Sequence, residues 1–434
     1  MLDGPPLVYR EADGWKRTGR VCAVARNSLT VELPGLRPGA AVFVESGVAS
    51  PLVAEAIACD GPTAICTCAG QRSVIAVGAR ATSDGACVGA YVGDELLGHV
   101  CDAWGRVADG RSRGRPVDLD PPGTAIETRS RVEKLLPTGV GAIDALLSLG
   151  RGQRIALLAG PGVGKTSLLR RIVSGATVDA RVIGLVGERG REAAESIAKL
   201  RATAQARTTT MVVATADATA WERLTAARTA TAQAEALAAE GRDVLLVIDS
   251  LTRAANAWRE VALAAGEVPA HRGHPPSLAG VLGRLVERAG VRRTGSVTAV
   301  YAVLVDGDDP REPVSDLIRG FVDGHIVLAR NIADAGRFPA IDILRSVSRL
   351  MDDVATHDHR RDARTVRHAL ASLEHADDLI AVGAYRAGND TRLDAALSQR
   401  SAIEALVHDA DDADRLPDPI ATLASIAARL RAGS

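Results

Sequence analysis

Apolar and polar positions divide the chain into three stretches of different periodicity. Up to about Arg80, short apolar runs (Val21 to Val24, Leu29 to Leu33, Ala41 to Val44, Val74 to Val77) are cut by Pro34-Gly35, Pro38-Gly39 and Gly61-Pro62. β-favouring pieces between turn formers at this spacing predict a small β-barrel. From about Val88 to Leu350, longer apolar runs alternate with helix-length segments. The predicted strands are Arg154 to Ala159, Arg181 to Val186, Thr209 to Ala214, Val244 to Ile248, Ser296 to Leu304 and His325 to Ala329. That alternation predicts an α/β fold, a mostly parallel sheet with helices on both faces. Past Leu350 the strand signals stop, and a polar sequence rich in Ala, Asp and Arg with helical periodicity runs to Ser434. The expected division is a barrel over 1–85, an α/β domain over 86–350 and a helical domain over 351–434.

The first predicted strand of the middle stretch breaks into a glycine-rich turn and restarts as a helix: Arg154-Ile-Ala-Leu-Leu-Ala-Gly-Pro-Gly-Val-Gly-Lys-Thr-Ser-Leu-Leu-Arg170. This is a phosphate-loop, expected to hold a nucleoside triphosphate along Ala159, Gly160, Pro161, Gly162, Val163, Gly164, Lys165, Thr166 and Ser167. Glycines let successive N–H groups turn toward one point, and the helix start adds its positive dipole end. Lys165 can reach the β and γ phosphates, and the Thr166 hydroxyl can ligate Mg²⁺. Ala159 stands where the strict pattern wants Gly, and Pro161 removes one backbone donor, yet five N–H groups from Gly162 to Thr166 remain.

Two further strand ends carry carboxylates. Val244-Leu-Leu-Val-Ile-Asp249 is a continuous apolar run of the kind buried in a parallel sheet. Ligands of open α/β sheets sit at the carboxyl ends of strands, so Asp249 is expected to hold Mg²⁺ through its water shell. In Gly184-Leu-Val-Gly-Glu-Arg-Gly-Arg-Glu192, Glu188 is the candidate to orient the water that attacks the γ phosphate, with Arg189 beside it to bind phosphate oxygens.

Charge and cysteine usage narrow the partners. With 52 Lys+Arg against 53 Asp+Glu over 434 residues, no whole-chain basic field invites nucleic acid or anionic membrane. The first ten residues lack the basic and apolar regions of a signal peptide, and no run reaches membrane-spanning length, so a cytoplasmic protein is expected. Six cysteines fall in the first quarter, and Cys66-Thr-Cys68 lacks the second pair or spaced histidines of a zinc set, so buried structural thiols are expected.

These residues carry a resemblance. The chain resembles the hexameric protein-export ATPases of type III secretion, relatives of the catalytic subunit of F-type ATP synthases. The matching segments include Gly93-Asp-Glu-Leu-Leu-Gly-His-Val-Cys-Asp102, Leu136-Pro-Thr-Gly-Val-Gly-Ala-Ile-Asp-Ala145, Gly150-Arg-Gly-Gln-Arg154, the phosphate-loop and Gly187-Glu-Arg-Gly-Arg-Glu192. They continue through Asp249-Ser-Leu-Thr-Arg253, Gly266-Glu-Val-Pro-Ala-His-Arg-Gly-His-Pro-Pro-Ser277, Asp323-Gly-His-Ile-Val-Leu328 and Phe338-Pro-Ala-Ile-Asp342. His99 and Gly141 depart from the basic residues many members carry there.

The resemblance implies a RecA-like phosphate-loop ATPase core between an N-terminal barrel used in ring assembly and a helical C-terminal domain. It implies ATP and Mg²⁺ as ligands, with Lys165 and Thr166 on phosphate and metal, Glu188 as catalytic base and Arg189 as a phosphate contact. It further implies Glu192 as a carboxylate behind the metal, Asp249 on the metal's water, Phe338 stacked on adenine, and Arg349 of Ser346-Val-Ser-Arg349 reaching into a neighbouring subunit's site. The implied assembly is a homohexamer at the cytoplasmic face of the inner membrane. Its implied partners are a coiled-coil stalk protein, stator or sorting-platform proteins and chaperone–effector complexes. Two other classes share the core. A rotary synthase subunit should carry an acidic Asp-Glu-Leu-Ser-Glu-Glu-Asp lever, absent from the C-terminal region, and a ring helicase should carry stacking aromatics among basic residues, where residues 1–80 offer only Tyr9, Trp15 and Phe43. Leu344-Arg345 stands where flagellar exporters usually show Glu-Ala, which is similar to the virulence-type injectisome branch.

Overall fold

The computed structural model describes residues 8–9, 16–47, 51–68, 75–107, 113–121, 129–305, 312–381, 385–408 and 416–433. Trp15 and Val74, used above, lie outside these residues. By its internal contacts the chain divides into two units, Met1–Arg129 with Asp179–Val297, and Ser130–Val178 with Thr298–Ser434.

The first unit begins with the expected barrel, a closed ring of six strands in the order Arg17–Val24, Leu29–Glu32, Thr63–Cys68, Leu52–Asp60, Ala41–Val44 and Arg80–Ser83. Alternation sets the faces: Leu29 and Val31 are buried while Thr30 and Glu32, which alternate with them, are half-buried. Gly19 is needed where two strands close, because a Cβ there would lie 1.9 Å from the Glu32 carbonyl oxygen. Two sequence expectations change. The last barrel strand is Arg80–Ser83, since Val77 and Gly78 form a turn with Gly78 at φ +89. The hairpin of Leu52–Asp60 and Thr63–Cys68 was not anticipated as a strand pair. Cys66, Cys68 and Cys101 are buried, as structural thiols should be, whereas Cys22 is exposed and Cys59 and Cys87 are half-buried. Burial pushes the Cys101 thiol up to about 12, which leaves it inert at neutral pH.

The same unit holds parallel strands in the order Asp243–Asp249, Ala180–Glu188, Thr209–Thr215 and Val100–Cys101. Helix Ala220–Ala239, started by a Thr219–Glu222 capping box, is rich in alanine and buried on nearly every face. Small residues let it close on the sheet: a Cβ at Gly184 would meet Ala230 at 3.1 Å and Ile248 at 2.8 Å. Its buried Gln233 is satisfied by the Gly93 backbone and Thr210. Arg228 of this helix is paired with Glu55 of the barrel (3.2 Å) and with Asp120, and Trp221 Nε1 donates to Glu55 at 2.6 Å. Burial pulls the Arg228 guanidinium down, and Glu55 and Asp120 more than offset it. Removing one partner of such a pair leaves a charge stranded in low dielectric. Glu55→Ala is therefore expected to lower stability by about 3 kcal/mol, read from the denaturant midpoint, whereas the double change Glu55→Met with Arg228→Met should cost far less.

In the second unit, strand Arg154–Ala159 lies parallel between Ser296–Leu304 and Gly324–Leu328, and Ile341–Ser348 runs antiparallel at the edge. The helical C-terminal region belongs to this unit. Helix His357–Ala381 is tied back through His359 Nε2 and the Ala145 carbonyl (2.8 Å) and through Arg367 to the Ser346 carbonyl (3.3 Å). Helix Arg400–Val407 ends at His408, whose Nδ1 lies 3.1 Å from the Pro339 carbonyl. Pro419–Ala432 packs against the long helix, where Arg431 pairs with the buried Asp362 at 2.8 Å.

Candidate active site

Within the second unit, the buried strand Arg154–Ala159 delivers the chain into the loop, and the helix Lys165–Gly175 leaves it. Gly162 and Gly164 adopt φ of +80 and +94, left-handed values at which an L side chain is strained. Val163 between them is buried and anchors the turn, while Thr166 and Ser167 are exposed. Gly164 is the N-cap, no side chain caps the helix start, and no acidic residue lies in its first turn. Such an end leaves N–H groups and a positive dipole for an anion.

Phe338 is packed against this loop. Its ring edge lies 3.4 Å from the position a Cβ on Gly164 would take, and the side chain stays 38% exposed. An aromatic face held at the helix start and open on its other side suits a purine. Phe338→Ala is expected to weaken nucleotide affinity about tenfold with little loss of turnover at saturation, as titration with a fluorescent ATP analogue would show.

Arg349 stands elsewhere in the same unit. Its N–H donates to the Asp323 carbonyl at 2.9 Å, and the Asp323 carboxylate accepts from Arg154 N (2.9 Å) and Nε (3.2 Å). Arg154 begins the strand that ends at the phosphate-loop, so the exposed Arg349 lies at the opposite end of the sheet, roughly 16 Å of strand away.

The first unit carries the other candidates. Glu188 ends the strand Ala180–Glu188, whose Leu185 pairs in register with Asp249. Asp249 is 5% exposed at the carboxyl end of its own strand, and Ser250 after it accepts from Arg253 N to start the helix Leu251–Ala264. Glu188 Oε1 is 2.5 Å from Arg253 Nη1, and both side chains are largely buried. Gly187 makes this pair possible: at φ +68 it has no Cβ, and one placed there would meet Arg253 Cδ at 2.9 Å. Arg253 is the residue that reading the sequence did not single out, although it closes the quoted Asp249 to Arg253 motif; the signal was the helical spacing that returns it to the strand end.

Glu192, in the first turn of helix Gly190–Arg201, is pushed up from its ordinary value, first by its hydrogen bond with Glu188 and then by burial. Arg189, the exposed N-cap residue, reaches Glu192 at 3.5 Å. An open pocket of about 570 Å³ adjoins this group, lined by Gly187, Arg223, Arg253, Asn256, Arg259 and Glu260 among others. Glu188, Arg189, Glu192, Asp249 and Arg253 thus gather in one unit, while the phosphate-loop, Phe338 and Arg349 belong to the other.

Known proteins match along nearly the whole chain. Residues 139–348 match the ATP synthase alpha/beta family nucleotide-binding domain, and 355–423 match the T3SS EscN ATPase C-terminal domain. The flagellum-specific ATP synthase of Treponema pallidum is 40% identical over 97% of this chain and 95% of that protein. The type 3 secretion system ATPase of Pseudomonas syringae pv. syringae is 40% identical over 90% of this chain and 89% of its own. Among solved structures, the assembled ATPase EscN of the enteropathogenic E. coli type III secretion system superposes with a TM-score of 0.88 at 36% identity, covering 94% of this chain and 100% of that one. The same ATPase in complex with its central stalk EscO gives 0.84 at 35% identity, covering 95% and 100%. The chain therefore has the EscN-like fold of a barrel, a nucleotide-binding α/β domain and a helical C-terminal domain, and it belongs to the ATP synthase alpha/beta family, among the ATPases of type III secretion and flagellar export.

Proposed function

We propose that this chain is the ATP-hydrolysing motor of a type III protein secretion system, releasing export substrates from chaperones and unfolding them at the cytoplasmic face of the inner membrane. The observation that carries the hydrolytic part is the uncapped helix start at Gly164, with Lys165 and Thr166 following two left-handed glycines and Phe338 alongside. N–H groups of the loop and Lys165 bind the β and γ phosphates. Glu188, steered by Arg253, orients the attacking water and accepts its proton, and Arg189 contacts phosphate oxygens.

The donors also fit Mg²⁺. Thr166 and Asp249 offer hard oxygens of the kind this cation prefers, and Glu192 a further carboxylate. Bound with the triphosphate, Mg²⁺ would neutralise charge developing on its phosphates. Lys165→Ala is expected to abolish ATP turnover, measured as phosphate release; a turning-over variant would overturn the ATPase assignment.

We infer a homohexamer with sites at subunit boundaries, since Arg349 stands at the wrong end of its own sheet to serve its own phosphate-loop. Residues 1–85 serve ring assembly, 86–350 catalysis and 351–434 contacts with a stalk protein, stator or sorting-platform proteins and chaperone–effector complexes. EscN has been solved with its stalk EscO, which supports the stalk contact. Leu344-Arg345 favours the injectisome branch, and the 40% identity to a flagellar ATPase over 97% of the chain keeps flagellar export as the second reading. Purifying the assembled ring from its native cells with a slowly hydrolysed ATP analogue tests this: injectisome components support the first reading, flagellar components the second.

A further inference from the structure

A second pocket, of about 190 Å³, opens in the phosphate-loop unit at the carboxyl ends of Arg154–Ala159 and Gly324–Leu328, against Ala159 and Gly160. Among the described residues its lining is apolar apart from Arg319, Arg330, Asn331 and Arg345, and none of these residues is acidic. Pockets that take nucleotide-sized ligands are larger.

Each arginine is there for a local reason. Arg319 ends the helix Pro313–Arg319, and its buried Nε has no hydrogen-bond partner. Burial pulls its pKa down, and repulsion from Arg345 adds to this against the opposing charge of Asp316. Arg345 arrives through a break in strand pairing: His325 pairs with Val347 but Val327 pairs with Asp342, so the residues between bulge out. The bulge is closed by Arg345 N to Asp342 Oδ1 (2.9 Å) and by Val327 N to Ser346 Oγ (2.9 Å). The carboxylate beside Arg345 is only a weak partner, with Asp342 Oδ2 3.9 Å from Arg345 Nε. Arg330 Nη2 donates to the Pro161 carbonyl at 3.0 Å, which ties the pocket wall to the first turn of the loop.

Two guanidiniums that repel one another, one with a buried donor unused, around a pocket with no carboxylate among its described lining residues, make an arrangement that an anion stabilises. We propose that this pocket is a second oxyanion site beside the nucleotide, taking a small free anion of the carboxylate or phosphate type, with Arg319 and Arg345 as its ligands. Filling it steadies the Pro161 turn through Arg330.

The test uses the full chain saturated with ADP, with sulfate as the probe and chloride holding ionic strength constant. A saturable rise in melting temperature with sulfate is expected. In Arg319→Met and in Arg345→Ala the apparent sulfate affinity should fall about tenfold or more, the loss of one charge-assisted hydrogen bond, while ADP affinity is unchanged. Arg345→Lys should keep part of the response and guards against a folding defect in the alanine variant. Equal saturable shifts in all variants would overturn the proposal, as would a shift that vanishes once ADP saturates the chain, because sulfate would then be occupying the phosphate-loop. A response that appears only as the protein concentration rises would point instead to a carboxylate of a second copy, and would also overturn it.

Discussion

Glu188→Gln is expected to lose about three orders of magnitude in turnover at saturating ATP, with nucleotide affinity nearly unchanged. Glutamine keeps the shape of the side chain and one oxygen for Arg253, so the strand end and the Gly187 notch should survive. It cannot accept a proton, and it cannot hold the attacking water as a carboxylate does. Phosphate release and equilibrium binding of a fluorescent nucleotide, measured on the same preparation, separate the two effects. An active Glu188→Gln enzyme would remove Glu188 from the chemistry and leave its ion pair with Arg253 as a structural contact.

Arg349→Ala should be nearly as damaging, by about three orders of magnitude, because an arginine that meets the charge growing on the transferring phosphoryl group has an effect of that size. Its cause is different, and mixing shows the difference. A Lys165→Ala subunit keeps Arg349, and an Arg349→Ala subunit keeps Lys165. Each alone should be inactive, while rings assembled from both should recover part of the turnover at boundaries that combine the two intact residues. If Arg349 served its own subunit, the mixture would stay inactive. The hydrogen bonds linking Arg349, Asp323 and Arg154 predict recovery, since they fix the arginine at the start of the strand whose far end becomes the phosphate-loop.

The parts of the site legible in sequence were those whose chemistry is local. A strand, a turn with glycines at fixed steps and a helix occur within seventeen residues, so Gly162, Gly164, Lys165 and Thr166 announce their geometry directly. Asp249 was legible because an unbroken apolar run that stops at a carboxylate marks the carboxyl end of a buried parallel strand, where ligands of such sheets sit. Arg253 was not, because its role depends on Gly187, more than sixty positions earlier, having no Cβ in its path. The end at which Arg349 stands was equally hidden, for it follows from the register of an antiparallel edge strand against Gly324–Leu328, a pairing the sequence pattern leaves open. In the barrel, the strand Leu52–Asp60 was obscured by its fully buried middle, where alternation is lost. The apolar run at Val77 misled for the opposite reason, since Val77 is 66% exposed in a turn.

The hydrogen bond from His408 to the Pro339 carbonyl, with Arg337 and Glu404 3.3 Å apart beside it, fastens the C-terminal helices to the peptide that bears the Phe338 ring. A pull on those helices is therefore a pull on the shelf where the base would rest. Coupling of this kind runs both ways: a load that shifts the helices changes how tightly nucleotide is held, and nucleotide changes by the same factor how tightly the helices hold whatever loads them.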